Sequence, residues 1–163
     1  QGGALNPAQA RAMTDELTPV IERATEADVL IFGSPIYLDN VTGTMRCLLE
    51  RMFFSHWAYD RAHPGLWPRR AQGAFIYTMN APDFDRYREV LRYTVERRVE
   101  AILGAVTTLA ALDTYQFSDY TRYYAPNYDP AAKKRRREEV WPQDLQRAFE
   151  LGRGLVEAAR GIA

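Results

Sequence analysis

The stretch best suited to chemistry is Gly33-Ser34-Pro35-Ile36-Tyr37, which follows the apolar run Val29-Leu30-Ile31-Phe32. A glycine lets the backbone come close to a flat ligand. Proline stiffens the turn. Ser34 offers a hydroxyl and a backbone amide, and Tyr37 a ring that can lie on or edge-on to a heteroaromatic plane. No charged side chain falls within these five residues. The set suits holding a flat, polar ring through backbone donors. It does not suit nucleophilic catalysis, and no Ser-His-Asp or Cys-His constellation is visible elsewhere.

Other reactive residue types read more plainly. His56 and His63 lie seven apart in one loop without grouped partners, so they read as surface or interface histidines and not as metal ligands. The single cysteine, Cys47, beside Leu48 in a helical pattern, is expected to be a buried structural thiol. One cysteine excludes an internal disulfide framework and a cysteine-ligated zinc or iron–sulfur site, and makes a reducing cytoplasm the default compartment. Formal net charge is zero, which gives no sign of a nucleic-acid or membrane partner. Lys133-Lys134-Arg135-Arg136-Arg137, followed by Glu138-Glu139, reads as a solvated helix face in preference to an anion site. Trp57, Tyr59 and Trp67 either shield a ligand or partner or simply pack. The aromatics from Tyr115 to Tyr128 form either an interface or ligand site, or a flap over the core.

These residues need elements to hold them. Apolar spacing predicts a helix over about 13–24, with Thr18-Pro19 placing a cap and a first-turn proline so that it starts late. Val29–Phe32 is a continuous apolar run of the kind buried on both faces of a covered parallel sheet. Helices are predicted over about 43–54 and 84–103, and Gly104 ends the second. Strands are predicted over about 72–78 and 105–112. A last helix carries Leu145, Phe149, Gly152, Leu155, Val156 and Ala159 on one face, with Pro142 in its first turn. Alternation of this kind argues for βαβ units and a parallel sheet. At 163 residues the chain is the size of one domain. In open α/β sheets ligands sit outside the carboxyl ends of strands, where Gly33–Tyr37 lies.

Here the sequence resembles a known family. Ala27-Asp28, three apolar residues and more, then Gly33-Ser34-Pro35-x-Tyr37, the linker Asn40-Val41-Thr42-Gly43 and Leu49-Glu50-Arg51 look like the second FMN-binding stretch of the NAD(P)H-dependent FMN reductase family. Phe75-Ile76-Tyr77-Thr78-Met79-Asn80-Ala81-Pro82 is similar to the next strand and its flavin-side loop. The likeness runs from about Thr14 to Gly161. It implies a flavodoxin-like three-layer α/β sandwich with a parallel sheet, spanning residues 1–163 as the larger, C-terminal part of one FMN-binding domain. It also implies FMN as cofactor, NAD(P)H as reductant, a flavin, quinone or similar small molecule as acceptor, and a homodimer or higher homo-oligomer. Ser34, Pro35, Ile36 and Tyr37 would contact the isoalloxazine, mostly through backbone. Asn40 and Val41 would line the same loop, and Thr78, Met79 and Asn80 the other side of the ring. The flavin would carry the chemistry, with no catalytic side chain and no metal.

One departure stands out. The family's phosphate-binding turn, Gly-Ser-x-Arg-like, has no counterpart in this sequence. The expectation is that it and the first strands precede Gln1, and that without them FMN binds weakly. Two other readings of the same fold are a flavodoxin-type electron carrier, which zero net charge disfavours, and a flavin-free scaffold or interaction protein.

Overall fold

A computed structural model describes residues 14–161. Helix α1 (Thr18–Thr25) does start late, with Pro19 in the first turn, where a missing N–H leaves nothing unpaired, but Thr18 is its first residue and not its cap: Leu17 holds that position without a side-chain bond. Strand β1 (Val29–Tyr37) runs through the whole Gly33–Tyr37 stretch instead of stopping before it. A short strand β2 (Asn40–Val41) folds back on it, and helix α2 (Gly43–Phe53) follows. Strand β3 (Ala71–Thr78) leads to α3 (Asp85–Leu91), a π-helical turn (Arg92–Glu96) and α4 (Arg97–Leu103). Strand β4 (Gly104–Ala111) begins at once, because Gly104 takes φ +109°, a left-handed conformation that ends the helix without a Cβ penalty. Helices α5 (Pro130–Glu139) and α6 (Trp141–Arg160) complete the described chain.

The sheet has the order β2-β1-β3-β4. β1, β3 and β4 are parallel, and β2 pairs antiparallel with the last residues of β1. Helices lie on both sides, an architecture consistent with the flavodoxin-like expectation. Sequence reading misses β2, which at two residues shows no periodicity, and gives Lys133–Glu139 only as a solvated helix face without the start of α5 at Pro130.

The main core lies between one face of the sheet and α1, α2 and the 85–103 helix. In parallel register Phe32 faces Phe75, and Ser34 faces Tyr77. Phe75 is sandwiched, with ring centroids 5.2 Å from Phe32 and 5.6 Å from Tyr77. The π turn adds a residue per turn, and both Val95 and Glu96 face inward there. Its opened backbone is held by Arg46, whose Nη1 donates to Thr94 O at 2.7 Å.

Three expectations need correction. β1 is not buried on both faces: Ile31, on the face opposite Phe32, is 49 % exposed, and in the plane of the sheet no strand among the described residues lies beside Val29–Pro35 on its far side. The apolar face of α6 is only partly covered: Leu155 is buried, but Leu145, Phe149 and Val156 are exposed. Cys47 is exposed as well. It lies about half a helical turn from Leu49, whose side chain enters the core, so it points away from the sheet.

The Tyr77 hydroxyl is fully buried and has no partner in hydrogen-bonding geometry. Burial first, and then the nearby Glu96 carboxylate, which itself accepts from Thr108 Oγ1 at 2.9 Å, hold this phenol protonated well above its ordinary range. The unfolded chain would release that proton near pH ~10. Stability contributed by the neutral phenol is therefore complete below that pH and is lost as pH rises above it. Tyr77→Phe is expected to flatten the alkaline limb of a stability-versus-pH curve measured by urea unfolding. An unchanged limb would show that Tyr77 does not carry it.

Candidate functional site

Register brings the candidate residues to one edge. Pro35 pairs with Thr78, and Thr78 with Ala111, so the carboxyl ends of β1, β3 and β4 stand side by side. The loop after β3 is stitched to the loop after β4 by backbone bonds. Thr114 N donates to Met79 O at 3.0 Å and Asp113 N to Ala81 O at 2.9 Å.

On the β1 side, the Ser34 hydroxyl does not face outward as expected. It is buried, donates to Pro35 O at 2.8 Å and accepts from Thr42 N at 3.2 Å. Its work is to shape the turn, which leaves the backbone as the part of Ser34 able to meet a ligand. Pro35 and Ile36 are half-buried, and Tyr37 is 61 % exposed. Leu38 and Asp39 form the tip of the β1–β2 hairpin, with φ +49° and +67°. Positive φ at both central residues is the geometry of a tight hairpin turn whose twist suits the flanking strands, and neither residue is the glycine that adopts it at no cost. Asp39 is held by Arg86 at 3.5 Å.

Asn40 and Val41 act as anchors beneath this tip. The Asn40 side chain accepts from Val41 N at 2.8 Å and donates to Thr94 Oγ1 at 3.3 Å, tying the hairpin to the π turn. Val41 is buried in the core. Thr42 then caps α2 by accepting from Met45 N at 3.2 Å.

On the β3 side, Thr78 and Asn80 are half-buried, whereas the Met79 side chain is buried in the core. Only the Met79 backbone belongs to the edge. Asn80 is held firmly. Its Nδ2 donates to Gln116 Oε1 at 3.0 Å, and the buried ammonium of Lys133 donates to both its carbonyl oxygens and to the Asp113 carboxylate. The Tyr128 ring lies 4.9 Å from the same ammonium.

Lys133 is therefore the residue that sequence reading missed. The run 133–137 is not uniformly solvated: Lys133 and the half-buried Arg136 point into the protein, while Lys134, Arg135 and Arg137 are exposed. The available signal was spacing. Lys133, Arg136 and Arg137 stand at i, i+3 and i+4, which puts them on one side of α5. Arg136 Nη2 donates to Asp144 Oδ2 at 2.7 Å, and Arg147 engages the same buried carboxylate.

His63 is exposed beside Asp60, whereas His56 packs 4.6 Å from the Trp67 ring. Among the described residues no group of His, Cys, Asp or Glu is arranged to hold a metal ion, and no helix is long and apolar enough to cross a membrane. In the aromatic segment, Phe117 stacks on Tyr123 at 4.0 Å and meets buried Tyr120 edge-on. That part is a flap, while Tyr124 stands fully clear of it.

The exposed β-edge motif and its helix-capping linker lie in the first half of the chain. Residues 4–81 match the family model of NADPH-dependent FMN reductase. The resemblance read from Gly33–Tyr37 and Phe75–Pro82 falls within that match or reaches its end. Among solved structures, an NADH:FMN oxidoreductase in its apo form is similar, at 16 % identity, over 76 % of this chain and with a TM-score of 0.44. The chain spans 59 % of the length of that structure. No curated protein matches.

Proposed function

We propose that the carboxyl edge of β1, β3 and β4 holds FMN, and that the protein moves hydride from NAD(P)H to a small acceptor such as a flavin or quinone. The observation that carries this reading is the side-by-side placement of the Gly33–Tyr37 strand end and the Thr78–Asn80 loop. The family match over residues 4–81 supports it. The donor chemistry also fits the group: backbone, neutral side chains and an exposed tyrosine suit a flat ring with a polar rim. When bound, FMN supplies the hydride chemistry, taking it from nicotinamide and passing it on.

The chain's own residues bind and orient. The backbone of Ser34–Tyr37 would meet the ring, with the Ser34 hydroxyl fixing the turn from below and Tyr37 offering its face. Asn80 would present its amide from the opposite loop, held in one rotamer by Lys133 and Gln116. Thr78 would contribute its hydroxyl. The Met79 backbone would complete that side. Preorganisation of this kind limits the ordering cost of binding.

A homodimer working in a reducing cytoplasm is part of the same proposal. Exposed Tyr37 and Leu38 at the hairpin tip favour a protein partner at this edge. Light scattering that gives a monomer would contradict the dimer. The cofactor is tested by equilibrium titration of FMN fluorescence: weak but saturable binding of about one flavin per chain is expected, and the absence of any saturable binding would refute it.

A further inference from the structure

A second opening lies at the same end of the sheet, on the side of α5 and α6. It is a cavity of about 230 Å³ lined by Thr78, Thr114, Tyr115, Arg136, Arg137 and Trp141. Thr78 ends β3, Thr114 and Tyr115 follow β4, the arginines close α5, and Trp141 opens α6. Arg136 is fixed by its bond to buried Asp144. Arg137 is different. Its guanidinium lies 4.6 Å over the Trp141 ring, and among the described residues it meets no carboxylate. The side-chain hydroxyls of Thr78, Thr114 and Tyr115 likewise have no hydrogen-bond partner among the described residues.

The geometry points to a phosphomonoester subsite: the pocket receives the phosphate that distinguishes NADPH from NADH. This rests on the flavin reductase reading above. A guanidinium fork held over an indole is preorganised for a phosphate, and the free hydroxyls can serve the remaining oxygens. The charge lining the pocket favours an anion, since Arg136 and Arg137 both line it and the carboxylate bonded to Arg136, that of Asp144, is also engaged by Arg147. The first turn of α6 adds the positive end of its dipole on the same side. Thr78 lines this pocket and also ends β3 at the proposed flavin edge.

Calorimetric titration of FMN, riboflavin, NADPH and NADH into the wild-type protein and Arg137→Gln decides the matter. Arg137 is exposed, so the variant keeps its fold, which circular dichroism checks. The expected result is a loss of about tenfold or more in affinity for NADPH, with NADH and both flavins unchanged. A loss for FMN and not riboflavin would overturn the proposal by giving the pocket to the flavin phosphate. A loss for NADPH and not NADH assigns it to the nicotinamide cofactor's extra phosphate. Equal losses within both pairs, or no loss, would overturn the subsite while leaving the flavin reading intact. Wild-type protein that binds neither flavin would overturn the flavin reading, and the nicotinamide pair alone would then decide the pocket.

Discussion

Phe75→Ala is expected to lower the unfolding free energy by about 3–5 kcal/mol, the usual cost of deleting a buried aromatic ring. Phe75 is fully buried at the centre of β3 and fills the space between Phe32 and Tyr77. β3 has a parallel neighbour on each side, so the cavity opens where the sheet cannot collapse around it. A loss of that size approaches the whole stability of a small domain. Chemical denaturation of both proteins checks it. A loss below about 1 kcal/mol would mean that the ring is replaceable by local repacking, and that β3 is not the centre of the core.

Lys133→Met is expected to weaken FMN binding by about tenfold or more and to destabilise the fold by about 1–3 kcal/mol. The methionine keeps the apolar stem but removes the ammonium. That leaves both Asn80 oxygens and the Asp113 carboxylate without their shared donor. Asp113 is partly exposed, and water can compensate it, which holds the stability loss below that of a fully buried ion pair. Asn80 loses the partner that fixes its rotamer. Because Lys133 positions the ring-side loop, the variant should lose riboflavin and FMN alike, unlike Arg137→Gln. Fluorescence titration of both flavins measures this. Unchanged flavin affinity in a destabilised variant would reduce Lys133 to a purely structural tie.

Much of this was legible from residue order, for reasons that can be named. The parallel strands β3 and β4 and the helices over 43–53 and 85–103 carry side-chain periodicity strong enough to fix their type. The Thr18-Pro19 pair marked the late start of α1, and Gly104 marked the helix stop because only a left-handed residue fits there. The Gly33–Tyr37 stretch was placed at the right edge of the sheet. What pattern could not show was direction. Whether Ser34 turns its hydroxyl outward or into the turn depends on Thr42, eight residues later, offering its amide. Reading Asn40 as a residue that lines the ligand loop gives no hint that its side chain bonds Thr94, fifty-four residues away. Lys133 looked solvated because its partners, Asn80 and Asp113, come from two other loops. Cys47 and the apolar face of α6 failed for another reason. Helical spacing tells which residues share a face, but not how much of that face another element covers.

The most direct test of the central claim is the absorption spectrum of the FMN-loaded protein under anaerobic conditions, before and after addition of NADPH. The account predicts oxidised-flavin bands near ~375 and ~450 nm that bleach on addition and return with an acceptor. Bound flavin that stays oxidised with both NADPH and NADH would contradict a reductase.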